Sequence, residues 1–226
     1  MVEYRAHQVF RSASVVKILI ALDHLRGRRA QAGDRALLQR MLRSSDDKAA
    51  TAFWKRGGQA AIIRRMAPLA GLTDTQGPPA DKPGFWGYTA LSAADVVRTY
   101  RYLLEKAPRA HREFVLAQLR RATPCGSDGF DQYFGIPRAV SRPWAVKQGW
   151  SGFGLTPAEP CGAATQGLVV RPADLGIGRP VLHTTGLVDG ERKIVVVLTL
   201  QPAGSSFRAA AARITALTRQ VHRAAG

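Results

Sequence analysis

The hydrophobic period of this chain changes near residue 140, and that change limits the folds open to it. Before it, apolar residues recur at helical spacing; after it, they fall in short strand-length runs. The spacing predicts helices over Ser14–Leu25, ended by Gly27, and over Asp34–Arg43, Asp46–Trp54 and Gln59–Ala70, after a short extended stretch at Tyr4–Phe10. Residues 71–88 contain three prolines and four glycines and predict a long loop. Ser92 followed by Asp95 has the form of a capping box, and it opens a helix whose Val96, Val97, Tyr100, Leu103 and Leu104 share a face. A further helix is expected over Ala110–Arg121. Trp144–Lys147, Val181–Val188 and Lys193–Leu200 read as strands, the last two joined by the hairpin signal Asp189-Gly190. A closing helix from about Ser205 repeats apolar residues at Phe207, Ala211, Ile214, Leu217 and Val221 and would cover one face of that sheet. A helical half followed by strand, strand and helix is an α+β fold.

The 226 residues are enough for one large domain, and 46% hydrophobic with 22% charged residues is the composition of a globular chain. Val15–Leu22 is interrupted by Lys17 and Ile194–Leu200 is strand-length, so no transmembrane helix is expected. The first residues show no charged region, apolar core and small-residue cleavage site, so no secretory signal is read there. The formal net charge of +17 brings acidic partners into consideration. The basic residues are mostly arginines spread singly or in pairs (Arg26, Arg28, Arg29, Arg64, Arg65, Arg120, Arg121), with no basic tail or interleaved aromatics, which favours a solvated surface over a dedicated nucleic-acid interface. Two cysteines, Cys125 and Cys161, can form one bridge or remain two buried thiols. His7, His24, His111, His183 and His222 are scattered without ligand spacing, so no metal or other cofactor is expected.

Three short segments carry candidate chemistry. Ser14-Val15-Val16-Lys17 places a hydroxyl and an amine one helical turn apart. Ser45-Asp46-Asp47 lies at a junction between two helices, and Lys147-Gln148-Gly149 at the end of a strand. Together, in this order and on these elements, they resemble the nucleophile, Ser-Asp-Asn and Lys-Thr-Gly segments of the penicillin-recognising serine hydrolases, the superfamily of class A β-lactamases and D-alanyl-D-alanine peptidases. The resemblance covers nearly the whole chain, including the strand beginning at Lys193 and the final helix.

The resemblance implies a single domain over 1–226: a mainly helical lobe at 12–140, and a sheet lobe from 1–11 and 141–226 backed by the C-terminal helix, with the site in the cleft between them. It implies Ser14 as nucleophile, Lys17 as its base, Ser45 as proton shuttle to the leaving nitrogen, and Lys147 as a nearby cation. The backbone N–H groups of Ser14 and Trp150 would form an oxyanion hole. Asp47, Gln148, Gly149 and Lys193 would join Trp150 in binding substrate, Lys193 matching a carboxylate-binding arginine. The implied substrate is a small molecule or a peptidoglycan-like D-Ala peptide, and the implied location is the envelope or the extracellular space.

The chain departs from the family's pattern in ways that carry consequences. Asp47 stands where the family has asparagine; an ionised carboxylate cannot donate to a substrate carbonyl, and beside Lys17 it favours the charged ammonium. Gln148 replaces a threonine. The run 71–88 contains Asp74 and Asp81 but no glutamate to position a deacylating water. The Ser14–Ser45 interval is short, which implies a reduced helical lobe. Few residues precede Phe10, so a sheet edge would be left for a preceding segment or a partner chain to cover. Weak or slow acyl transfer is therefore expected. The alternatives are a catalytically silent module binding cell-wall or antibiotic-like ligands, and a basic adaptor for acidic polymers.

Overall fold

The computed structural model describes residues 2–27, 31–161 and 179–226; Arg28 and Arg29 lie outside them. In chain order the elements are β1 (Val9–Arg11), a 3-10 turn (Ala13–Val16), α1 (Lys17–Arg26), α2 (Asp34–Arg43), α3 (Asp47–Arg56), α4 (Ala61–Ala70), a second 3-10 turn (Trp86–Tyr88), β2 (Ala90–Ser92) and α5 (Ala93–Arg101). A π-helical turn (Tyr102–Lys106) extends α5, and α6 (Arg109–Arg120), α7 (Ile136–Ala139), β3 (Ala145–Ser151), β4 (Val181–Val188), β5 (Lys193–Leu200) and α8 (Phe207–Ala224) follow. The first helix begins three residues later than its apolar pattern suggests. Ala13 holds φ at +44°, outside the right-handed helical region, and the chain enters α1 through the tighter turn that contains Ser14.

The strands β3, β4 and β5 form one antiparallel sheet in that order, with Lys147 opposite Thr185 and Thr185 opposite Val196. All eight residues of β4 are buried, because helices cover both faces of the sheet. One face contributes Ala145 and Leu187 to the core around α1, where Phe53, Trp54 and Met66 also pack. The other presents Val146, Leu182, Val195 and Val197 to Ala210 and Ile214 of α8. No strand among the described residues pairs with the outer edge of β5. The first eleven residues, expected within the sheet lobe, do not join this sheet: β1 pairs with β2 in a separate two-stranded ladder, Val9 opposite Ser92. β1 is three residues long, and the loop before β2 returns Ala90–Ser92 to its side.

That loop is held by carboxylates. Ser92 caps α5 by accepting from the Asp95 amide, but the reciprocal half of a capping box is not made. The Asp95 carboxylate instead accepts from the Thr73 and Asp74 amides, the Thr75 hydroxyl and Arg98. Burial by itself raises the Asp95 pKa, but the bonds from Thr75, Thr73 and Arg98 outweigh it and hold the carboxyl below its ordinary value. The stability it contributes is therefore present above the ordinary carboxylate range and is lost as pH falls through the lowered value. Asp95→Ala leaves several buried donors unpaired and should cost about 3 kcal/mol. Urea unfolding at neutral pH measures this, and a loss under about 1 kcal/mol would mean the loop is held by other contacts.

Cys125 and Cys161 are joined, which resolves the pairing that spacing left open. A bridge across a 36-residue separation stabilises the fold by about 3–4 kcal/mol in the chain-entropy account. No helix among the described residues is long and apolar enough to cross a membrane.

Candidate active site

Both candidate serines sit at breaks in helical geometry. Ser14 follows left-handed Ala13, and Ser45 is itself left-handed, with φ of +54°. Non-glycine residues adopt this region at a cost, and such strain collects at functional positions. Ser45 stands between Ser44, the C-cap of α2, and Asp46, which caps α3 by accepting from the Ala49 amide. Asp47 therefore falls in the first turn of α3, across from the start of α1.

Lys17 is fully buried and joins these pieces. Its Nζ donates to Ser14 Oγ at 2.8 Å, to the Ser45 carbonyl at 2.7 Å and to Asp47 Oδ1 at 2.6 Å. Three acceptors match the three donors of an ammonium. The ring of Trp86 lies 4.5 Å from the same nitrogen and closes the remaining side. The Asp47 side chain is 65% exposed, so it marks the mouth of the cleft.

Lys147 enters from the sheet and is hydrogen-bonded to Ser45 Oγ. Burial, then the charge of Lys17, drive its pKa well below that of an ordinary lysine, while Asp47 and Asp128 act against the shift. A lysine in that condition can exchange a proton with the Ser45 hydroxyl. Its strand is fixed from behind. Thr185 donates its only hydroxyl proton to the Lys147 carbonyl at 2.7 Å, so Tyr100, whose oxygen lies 3.0 Å away, must donate to Thr185. Gly149 lets β3 approach the nucleophile turn: an added Cβ would lie 3.1 Å from the Ser12 carbonyl and 3.2 Å from the Ser14 amide.

The structure thus brings together Ser14, Lys17, Ser45, Asp47, Lys147 and Gly149, and it places the side chains of Gln148, Trp150 and Lys193 away from them, leaving the Trp150 backbone on β3 beside Gly149. Gln148 is 2% exposed, and its amide nitrogen donates to the Gln132 and Phe134 carbonyls. The side-chain alternation of β3 turns it away from the face that carries Lys147 and Gly149. The Trp150 side chain lies on that same far face, with its indole donating to Asp128 at 2.8 Å beside Phe134. Lys193 sits at the hairpin end of the sheet, paired with Asp189 at 3.2 Å and bonded to the Gly226 carbonyl; it begins β5, whereas Val196 is the residue in line with Lys147.

Two residues at the site escaped sequence reasoning. Trp86 comes from the loop where an acidic residue was sought, with its indole donating to Thr51 Oγ1 at 3.1 Å. Of the loop's two aspartates, Asp74 bonds Ser92 and His7, and Asp81 is exposed beside Lys82. Asp128 is the other. Burial raises its pKa despite bonds from the Phe130 amide and Trp150, and the charge of Asp47 adds to the rise. Neither has a local motif; an aromatic in a proline-rich loop and an aspartate in a glycine turn are ordinary until the fold places them.

Comparison with solved structures decides what this architecture is. A class A β-lactamase from Mycobacterium abscessus superposes with a TM-score of 0.65 at 19% identity, covering 99% of this chain and 88% of that one. A β-lactamase from Burkholderia vietnamiensis gives 0.68 at 16% identity over 98% and 85%. This is the class A β-lactamase fold. The α+β architecture with an antiparallel sheet and a C-terminal helix agrees with the expected class. No family model matches the sequence. Among curated proteins, "Putative lipoprotein LppW" of Mycobacterium tuberculosis and of Mycobacterium bovis is 35% identical over 207 residues, covering 87% of this chain. The chain spans 58% of the length of these relatives.

Proposed function

We propose that this β-lactamase-like protein is a serine acyl-transfer hydrolase of the penicillin-recognising type, acting slowly on D-Ala peptides or lactam-like substrates. The supporting observation is the buried contact between Ser14 Oγ and Lys17 Nζ at 2.8 Å, with Ser45 and Lys147 completing a second hydroxyl–amine pair beside it. Ser14 would attack the acyl carbon, its proton passing to Lys17; Ser45, recharged from Lys147, would protonate the leaving nitrogen. Backbone donors near Ser14 and Trp150 would hold the oxyanion. Slow turnover follows from Asp47, which holds Lys17 in an ion pair, and from the absence of a glutamate in the loop that supplies Trp86. An envelope location is consistent with the relatives' lipoprotein name and with the disulfide.

A second reading is favoured by one observation. Lys17 already donates to three acceptors, a geometry that suits a silent binding module for cell-wall or antibiotic-like ligands as well as a resting enzyme. Intact-mass spectrometry after incubation with a fluorescent penicillin and a panel of activated acyl esters separates the two. An adduct on the wild type that is absent from Ser14→Ala is the expected result. A folded wild type that takes no label from any probe selects the binding module.

A further inference from the structure

Most of the formal charge of +17 lies outside the acyl-transfer site, and several arginines stand around two adjoining grooves. A groove of about 630 Å³ opens at the hairpin end of the sheet, between the loop after α7, the β4–β5 turn and the end of α8; Arg142, Arg192, Asp189 and His222 line it. A second groove of about 350 Å³ adjoins it across the same loop and adds Arg138 and Tyr133. Arg219 reaches the Arg138 carbonyl from α8 at 2.9 Å, which brings a further guanidinium to the rim.

The side-chain carboxylates of this region are already paired. Asp189 is bound by Lys193 and His222, Glu191 by Arg120, and Asp131 by Arg138. Arg142, Arg192 and Arg219 form no ion pair with a carboxylate among the described residues, and all three are exposed. Arg142 is nevertheless held in place: its guanidinium stacks 4.1 Å from the Trp144 ring centre and donates to the Tyr133 hydroxyl at 2.9 Å. Arg192 is likewise tied through Nε to the Asp189 carbonyl at 2.8 Å. Ordered guanidiniums with free N–H groups and uncompensated charge suit the bidentate recognition of phosphate oxygens.

We propose that these adjoining grooves form a binding site for a base-free phosphate polymer, separate from the acyl-transfer cleft. The aromatic groups argue against nucleic acid. Trp144 is 4% exposed, with Arg142 over its ring and the Tyr133 ring edge-to-face with it at 5.5 Å, so the tryptophan of these grooves offers no open platform on which a base could stack.

The test uses fluorescence anisotropy with labelled inorganic polyphosphate, titrated at several salt concentrations. Arg142→Gln/Arg192→Gln should weaken binding about tenfold or more and reduce the slope of log K against log salt by about one to two. Arg64→Gln/Arg101→Gln removes the same charge from exposed positions elsewhere and should change the affinity less than about threefold, as expected of surface charges that make no contact. An oligothymidylate or a polygalacturonate of equal charge should bind at least about tenfold more weakly than polyphosphate, since neither presents closely spaced phosphates without bases. Equal losses in the two double variants would show that attraction is diffuse and overturn the site. Equal or tighter binding of the oligonucleotide, or of the carboxylate polymer, would overturn the assignment to phosphate polymers. Ser14→Ala should leave every affinity unchanged, so failure of this site and failure of the acyl-transfer reading are read separately.

Discussion

Asp47→Asn should acylate about tenfold faster than the wild type, while Ser14→Ala takes no label. In the folded protein Asp47 Oδ1 lies 2.6 Å from Lys17 Nζ, and this ion pair occupies the nitrogen that would have to accept the Ser14 proton. Asparagine keeps an oxygen acceptor at that position, so the position of Lys17 survives while the negative charge of the ion pair is removed. It also restores an N–H donor at the mouth of the cleft, where a substrate carbonyl would lie. The gain is limited to about one order of magnitude because the Asp47 side chain is 65% exposed and solvent screens its charge. The rate of adduct formation on intact protein, followed with one activated ester at fixed pH, measures it. A slower Asp47→Asn would instead make Asp47 a participant in proton removal, and the ion pair with Lys17 would then assist acylation where it is expected to restrain it.

The protein should also lose about 3 kcal/mol of stability through His183 alone between pH 7 and pH 4. His183 is fully buried opposite Gly149, and burial pushes its pKa down to about 4. Its Nδ1 accepts from the Thr199 amide at 3.2 Å, so the neutral ring carries its proton on Nε2 and donates to the Arg11 carbonyl at 2.9 Å. Protonation would put a hydrogen on Nδ1, break the bond from Thr199 and bury a charge. Because the folded pKa lies below the unfolded value near 6.5, the unfolded chain binds the extra proton first. The stabilisation is complete above about pH 6.5 and is lost as pH falls toward 4. Urea unfolding at a series of pH values should show this loss in the wild type and a shallower decline in His183→Gln, which has no group titrating there. Parallel pH profiles would show that His183 is not the group responsible. Arg11 immediately precedes Ser12 and the nucleophile turn, so the same acid transition should slow acylation before global unfolding.

Most helices and the β4–β5 hairpin were legible because their signals are local: apolar residues at helical spacing, Ser92 before α5, and Asp189-Gly190 between two runs of β-branched and apolar residues. The set Ser14, Lys17, Ser45 and Lys147 was legible only through the resemblance that the three short segments carry together, since none of them points to a site alone. Gln148 shows where that reasoning stops. It follows Lys147 in sequence, yet strand alternation places the two side chains on opposite faces, and whether the far face meets solvent or the Gln132–Phe134 backbone depends on residues distant along the chain. Lys193 lies away from the cleft because β4 separates β5 from the strand that carries Lys147, and strand order is set by pairings between distant segments, not by where a strand starts.

By itself, then, the sequence determined the α+β order of elements, because that depends on periodicity and spacing within a few turns, and the order of its three short segments carried the resemblance to the serine hydrolases. Tertiary structure decided how the two lysines are divided. Lys17 is paired with Asp47 from α3 and roofed by Trp86 from a loop, while Lys147 is desolvated between the sheet and Ser45. Burial and charge proximity set what a lysine can do, and both are sums over neighbours that only the folded chain brings within reach.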